Sequence, residues 1–266
     1  MIKRILLLLT FVLQFCFLKA GIVILNGLSH SYNVENGKVY KGKIAIENTG
    51  NKPQNVKLFL QDFSYTADGT IKYAVPYTND RTNVGWIKIN TNLVTLKAKQ
   101  KTEVFYEITV PHTISNPGSY WSVIMVEPVE EIRPDHNGHG VNITSIVRYA
   151  IQVITDYDSE NAKPELTFES IKIEKKDGIR TANIAVINKG NLYCKPKVSL
   201  EIYNRQADEK AGTFTSLEMG LLPYTSKTFP INISNLPPEK YNAVVMATDE
   251  NENAFALNVE LEVKND

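Results

Sequence analysis

Alternating apolar residues recur along almost the whole chain after the first twenty positions. The clearest runs are Val104, Tyr106, Ile108 and Val110; Val147, Tyr149, Ile151 and Val153; and Phe255, Leu257, Val259, Leu261 and Val263. Because successive side chains of a strand point to opposite faces, this period of two indicates half-buried strands in antiparallel sheets. After the first twenty residues no segment shows a sustained helical period, so the sequence predicts an all-β protein.

The same order of strands and turns occurs twice. Residues 44–51 (IAIENTGN) match residues 184–191 (IAVINKGN), and in both units a proline-containing turn and an apolar strand led by a tyrosine follow, at Tyr120 and Tyr241. A tyrosine after such a turn is typical of immunoglobulin-like sandwiches, where its hydroxyl bonds to upstream backbone. The repeat predicts two tandem immunoglobulin-like β-sandwiches; the alternative is convergent strand-and-turn composition.

A polar, acidic stretch that ends at Pro164 separates the two units. Its composition is typical of a linker between domains. We therefore predict a signal peptide over 1–20, a first sandwich over 21–155, a linker over 156–163 and a second sandwich over 164–266.

The first twenty residues have the composition of a secretory signal. A basic pair at positions 3 and 4 precedes an apolar run over 5–17, and a tolerable cleavage site ends at Ala20. The run is shorter than the roughly 20 residues of a membrane-spanning helix, and Phe15 stands before Cys16, where a lipoprotein signal needs a small residue. We expect an exported protein, periplasmic or at the cell surface, with no membrane span in the mature chain.

Charge and cysteine content narrow the classes of function and fold. The chain has 29 Lys and Arg residues and 29 Asp and Glu residues. Nucleic-acid binding needs a surplus of basic residues, so we expect no nucleic-acid partner. Cleavage after Ala20 removes three basic residues and leaves 26 against 29 acidic ones, with Cys194 as the remaining cysteine. A single cysteine forms no intrachain disulfide, so we expect the cores to stabilise the fold and interpret Cys194 as a small apolar side chain.

Few residues suggest chemistry. Asp135, His136 and His139 form a weak candidate metal site, but zinc needs further ligands and the adjacent glycines favour an exposed loop. The acidic segment 249–253 lacks the glycine and ligand spacing of a calcium loop and is interpreted as a turn. The sequence contains no nucleophile-elbow or phosphate-loop motif. We therefore expect no catalysis, no cofactor and no resident metal.

The first half of the chain resembles a known family in pattern. The residues that carry the resemblance are the strand and turn 42–50, the segment 86–89, the strand 104–111 that ends in Val-Pro, Tyr120-Trp121 with Pro128, and the strand 148–155. Over about 130 residues this half is similar to the immunoglobulin-like domain of periplasmic pilus-assembly chaperones and of WxL-interacting cell-surface proteins.

The resemblance implies a binding strand. Pilus chaperones donate an alternating strand to their partner by β-strand addition and hold the partner's terminal carboxylate with a basic pair. By this resemblance the candidate binding residues are Val147, Arg148, Tyr149, Ile151 and Val153. Segment 21–34 contains no Lys or Arg, so half of the basic pair is missing. The alternative is that the strand only covers its own core.

Exposed aromatic residues are a second candidate surface. Tyr120 and Trp121, together with Tyr73 and Tyr77, are candidates for contact with a protein or a glycan, although Trp86 and Trp121 are interpreted first as fillers of the first core.

The favoured hypothesis is an envelope protein that binds another protein through strand-edge recognition, in a chaperone-like or surface-assembly role. The alternatives are a cell-wall polymer or glycan-binding module and a structural spacer. Strand recognition predicts an exposed, unpaired apolar edge strand, and glycan binding predicts a solvent-facing aromatic cluster on the first domain.

Overall fold

The computed structural model describes residues 21–129, 147–205 and 209–264. Strands make up most of these residues, and the helical pieces within them are two single-turn 3-10 helices, Val84–Trp86 and Ser159–Asn161. The prediction of an all-β protein is confirmed. The predicted signal peptide and the candidate metal ligands Asp135, His136 and His139 lie outside the described residues.

Seventeen strands are described in two groups. The first group is β1 (Ile22–Ile24), β2 (Ser29–Val34), β3 (Val39–Asn48), β4 (Gln54–Tyr65), β5 (Ile71–Ala74), β6 (Ile87–Ile89), β7 (Leu93–Leu96), β8 (Lys101–Thr109), β9 (Gly118–Val129) and β10 (Tyr149–Tyr157). The second group is β11 (Leu166–Lys176), β12 (Ile179–Asn188), β13 (Lys197–Asn204), β14 (Lys210–Thr215), β15 (Ser226–Asn232), β16 (Lys240–Thr248) and β17 (Ala254–Glu262).

Each group forms two sheets. In the first, one sheet has the order β1-β3-β8-β6 and the other β2-β10-β9-β4-β5, with β7 also beside β4. In the second, the orders are β11-β12-β15 and β14-β13-β16-β17. Strand β2 runs parallel to β10, whereas the other described strand pairs are antiparallel. Two sheets packed face to face make a sandwich, which confirms the prediction of two tandem immunoglobulin-like sandwiches.

The connection between the sandwiches follows the end of β10. This strand continues through Tyr157, and β11 begins at Leu166. The predicted linker 156–163 thus overlaps the last two residues of β10, and we propose that the domains divide within 158–165.

The predicted alternation positions the first core. Ile44 and Ile46 of β3, Tyr106 of β8, and Ile151 and Val153 of β10 are all fully buried between the two sheets, with half-buried or exposed residues between them. Burying these side chains supplies the main driving force for the sandwich, at about 25 cal/mol per Å² of apolar surface.

The sequence repeat corresponds to one physical device used twice. Asn48 and Asn188 are both fully buried at the end of β3 and β12. In both turns the side-chain amide donates to the backbone oxygen four residues ahead at 2.8 Å, and the side-chain oxygen accepts the N–H two residues ahead at 3.0 Å. Each asparagine side chain therefore supplies hydrogen-bond partners to backbone groups that the turn would leave unpaired.

The two tyrosine corners are confirmed. The Tyr120 hydroxyl donates to the Asn116 carbonyl at 2.9 Å, and the Tyr241 hydroxyl donates to the Pro237 carbonyl at 2.9 Å. In both cases the acceptor lies four residues upstream, and the tyrosine is buried. The hydroxyl thus fixes the turn while the ring packs inside, as immunoglobulin-like corners do.

A shared apolar interface joins the two sandwiches. Phe63, Tyr65 and Trp121 of the first sandwich lie in one buried cluster with Leu222 and other core residues of the second. The Trp121 indole N–H donates to the Phe63 carbonyl at 2.7 Å, and the Tyr65 hydroxyl accepts the Leu222 N–H at 3.0 Å. Trp121 is therefore a core residue between domains, and its placement in the first core was wrong, whereas half-buried Trp86 does pack on that core.

Substituting Asn188 tests the device at the repeated turn. Asn188→Ala leaves the buried N–H of Gly190 and the buried carbonyl of Leu192 without their side-chain partner, bonded now at 3.0 and 2.8 Å. We expect the free energy of unfolding to fall by about 2–4 kcal/mol, because each unsatisfied buried group costs about 1–3 kcal/mol. Urea unfolding measures this. Asn258→Ala on the exposed face of β17 is the control, and an equal effect of both substitutions would contradict the proposed role of Asn188.

Candidate functional site

Strand β10 is covered unequally on its two sides. Strand β9 pairs with it along its full length, from Tyr149 to Tyr157. On the other side β2 begins only opposite Gln152, which pairs with Ser29. Within the described residues, no strand lies beside segment 147–151 on that side. Among the described residues, segment 147–151, which includes the first three residues of β10, is therefore a free sheet edge.

The free edge presents backbone hydrogen-bonding groups outward. The Gln152 N–H donates to the Leu28 carbonyl at 2.9 Å, so it points toward β2. Backbone groups alternate sides along a strand, so the N–H and C=O of Ala150 point to the same side as those of Gln152. Ala150 thus offers one donor and one acceptor to a strand that adds there.

The connection between β1 and β2 keeps this edge open. The Asn26 side chain donates to the Lys43 carbonyl at 2.7 Å and accepts the Ala45 N–H at 2.9 Å. Both partners belong to β3 in the opposite sheet. Because the chain is fixed there before it reaches β2, it does not run alongside the first residues of β10.

A partly buried polar network fixes β2 itself. The Tyr106 hydroxyl lies 2.7 Å from His30 Nδ1 and 2.8 Å from the Tyr32 hydroxyl. A Cβ on Gly42 would lie 2.2 Å from Tyr106 Cζ, so the missing side chain makes room for the network. Burial lowers the pKa of His30 and raises the pKa of Tyr106, and both therefore remain neutral near pH 7.

Side chains of the free edge alternate between the core and the outer face. Ile151 is fully buried, and half-buried Tyr149 donates its hydroxyl to the Ile22 carbonyl at 2.8 Å, which bridges the two sheets. On the outer face, Arg148 Nε lies 3.0 Å from a carboxylate oxygen of Glu127. Val147, at the start of the segment, is 59% exposed.

The structure brings together only part of the predicted site. Val147, Arg148 and Tyr149 lie along the free edge, whereas Ile151 was wrong as a contact residue, because its side chain is fully buried and its backbone groups face β9. Val153 was wrong as a contact residue, because its side chain is buried and β2 covers its segment of the edge.

Tyr120 and Trp121 are also corrected. They are 8% and 3% exposed, since one closes a turn and the other fills the domain interface, so neither offers a surface to a partner. Ala150 was missed, because a small apolar residue carries no chemical signal. Ala150 lies two residues before Gln152 in the same strand, so the alternation of backbone groups identifies it as the residue whose N–H and C=O face the edge.

Solvent-facing aromatic residues are present elsewhere. Tyr73 on β5 is 44% exposed and Tyr77 is 71% exposed, and Tyr224 of the second sandwich is 59% exposed. The Tyr73 ring packs on Phe63 at 5.4 Å between centroids. These rings are accessible to a ligand, in contrast to Tyr120 and Trp121.

A polar cleft of about 340 Å³ separates β2 from the second sandwich. Its charged lining residues are Asp156, Lys195 and Glu250. The Asp156 carboxylate accepts the Ser119 hydroxyl at 2.5 Å, and Ser119 Oγ accepts the Tyr193 N–H at 2.6 Å. Burial raises the pKa of Asp156 to about 6, although the Ser119 bond acts in the opposite direction.

The described residues contain no group of three or more His, Cys, Asp or Glu side chains placed to hold a metal ion. The Asp249 carboxylate accepts the backbone N–H groups of Asn251 and Asn253, as in a tight turn. Cys194 is buried, and burial raises the pKa of its thiol, so the thiol stays protonated. Over the same described ranges, no helix has the length and apolar character needed to cross a membrane.

Comparison with solved structures finds fimbrial chaperones. The chain is similar to the Class 5 fimbrial chaperone CfaA, with 14% identity, a TM-score of 0.47, and coverage of 90% of this chain and 98% of that chain. It is similar to a chaperone–tip adhesion subunit complex from archaic chaperone-usher Csu pili of Acinetobacter baumannii, with 14% identity, a TM-score of 0.43, and coverage of 90% and 98%. It is also similar to the E. coli chaperone DraB, with 10% identity, a TM-score of 0.43, and coverage of 91% of this chain and 98% of that chain.

No protein-family model matches the sequence, and no curated protein matches it either. The description of the fold therefore depends on the strand pairings of this chain itself.

The buried carboxyl of Asp156 makes stability depend on pH. Its pKa is about 6 in the folded protein against an ordinary 3.8, so folding favours the protonated form. This contribution to stability is fully present below about pH 4 and is lost as the pH rises through 6, a change of about 3 kcal/mol at 1.4 kcal/mol per pKa unit.

Asp156→Asn removes this ionisation and keeps an acceptor for Ser119. We expect the variant to be more stable than the wild type at pH 8 and to match it near pH 4, as measured by urea unfolding across this range. Glu160→Gln, at an exposed carboxylate, is the control. Parallel pH profiles of wild type and Asp156→Asn would refute the assignment.

Proposed function

We propose that this exported protein binds an extended segment of another envelope or surface protein by β-strand addition at the free edge of β10. The role is non-catalytic, as a chaperone or as a component of surface assembly. The observation that supports it best is the unequal cover of β10, in which β2 covers the edge from Gln152 to Tyr157 and leaves segment 147–151 open.

Backbone bonding at this edge supplies part of the affinity. Each added strand hydrogen bond contributes about 0.5–1.5 kcal/mol net, and Ala150 offers one donor and one acceptor. Side chains must supply the rest and the specificity. Exposed apolar side chains lie beside the edge for this purpose, since Val147 is 59% and Leu28 47% exposed.

Binding to a cell-wall polymer or glycan is the second candidate. Exposed Tyr73, Tyr77 and Tyr224 favour it, because sugar rings pack on aromatic faces. Arg81 lies 5.9 Å from the Tyr224 ring and adds a donor there. Sedimentation with purified cell-wall polymer tests this candidate, and Tyr77→Ala must reduce co-sedimentation while Ala150→Pro must not.

Proline at the edge tests strand addition directly. Ala150→Pro removes an N–H that faces outward, so the pairing with β9 remains and the fold survives. With a photo-cross-linking amino acid at position 147, we expect cross-linked partner protein in the native envelope. The yield must fall about tenfold or more in the Ala150→Pro background.

Two controls separate edge binding from general damage. Ala256→Pro makes the same change on edge strand β17, where the Val263 N–H bonds toward β16 and alternation directs the Ala256 N–H outward. A cross-linker at Leu217, 84% exposed on the second sandwich, reports non-specific contact. Cross-links at position 147 that persist in Ala150→Pro would disprove strand addition.

A further inference from the structure

A row of alternating charges ends at the free edge. Lys57 of β4 pairs with Glu127 of β9 in the strand register. Arg148 comes immediately before Tyr149, which pairs with Val126, so Arg148 lies beside Glu127 and forms the ion pair with it. From Lys57 of β4 through Glu127 of β9 to Arg148, just before β10, the side-chain charges are therefore positive, negative and positive. The next position in this row belongs to the strand that would add to β10.

Arg148 retains capacity for a second carboxylate. Its side chain is 57% exposed although the ion pair with Glu127 is formed. A guanidinium has five N–H donors, and Arg148 contacts Glu127 through Nε. Opposite charges directly across neighbouring strands attract, whereas like charges there are destabilising.

The next row along the edge is apolar. Ala150 lies opposite Met125, and Met125 lies opposite Phe59. All three side chains pack on the same apolar cluster. Ala150 is the smallest of the three and lies at the edge, so the next position in this apolar row belongs to an added strand.

We infer that the edge selects an extended segment that carries an acidic residue beside Arg148 and a large apolar residue two positions away, beside Ala150. This inference rests on the proposed function and specifies the partner class for the same site. The acidic residue completes the row of charges across four strands. The apolar residue extends the row of Phe59, Met125 and Ala150, and the residue between them faces the sandwich interior.

The test uses a phage-displayed library of short random peptides and the folded mature protein. Peptides that bind the wild type but not Ala150→Pro are sequenced. We expect Asp or Glu two positions from a large apolar residue. Replacing that acid by its amide in a synthetic peptide must weaken binding about two- to fivefold in fluorescence anisotropy, which corresponds to the upper part of the range for a cross-strand charge pair.

A charge swap provides the matched control. The triple variant Lys57→Glu, Glu127→Arg and Arg148→Glu keeps the alternation of charges along the row and reverses the charge at the edge, so the selected residue must change to Lys or Arg. Peptides that depend on Ala150 but show no acidic preference, or no change after the swap, overturn this inference and leave strand addition intact. If no peptide depends on Ala150, the proposed function fails as well.

Discussion

After β1 the chain leaves one sheet and joins the other at β2. The point of this crossing determines where the second sheet has a free edge. Strand β1 pairs with β3 and strand β2 pairs with β10. Asn26 fixes the connection between β1 and β2 by two hydrogen bonds to β3. Because the connection crosses between the sheets, β2 meets β10 only from Gln152 onward. The open segment is thus a consequence of topology, and its length is set by the point at which the crossing ends.

Packing between the domains secures the rest of the same sheet. Strand β9 is buried over 118–126 because one face covers the first core and the other meets the second sandwich. Trp121 and Tyr65 add hydrogen bonds to this contact. The end of β10 nearer the second sandwich is therefore held on three sides, by β9, by β2 and by the domain interface. Binding at the far end requires no movement of this junction.

Strands and turns could be predicted from the sequence, whereas the long-range contacts that cover a strand's face or edge could not. The period of two predicts strands, and the repeated Asn-x-Gly turns and tyrosines predict two similar sandwiches, because each signal acts within a few residues. Trp121 is different: apolar residues of both parities surround it, so the sequence does not distinguish the core face from the domain interface. The free edge depends on where a distant strand stops, and no residue of β10 encodes that.

An open edge also has to avoid pairing with its own copies. Natural sheets protect such edges by keeping them short and by placing charges on them. Segment 147–151 does both, since it is five residues long and carries Arg148. It contains no carboxylate, so a second copy paired through the same segment would leave Arg148 without a partner across the new strand pair. A partner with an acidic residue satisfies this arginine, and one side chain thereby favours binding and disfavours self-association.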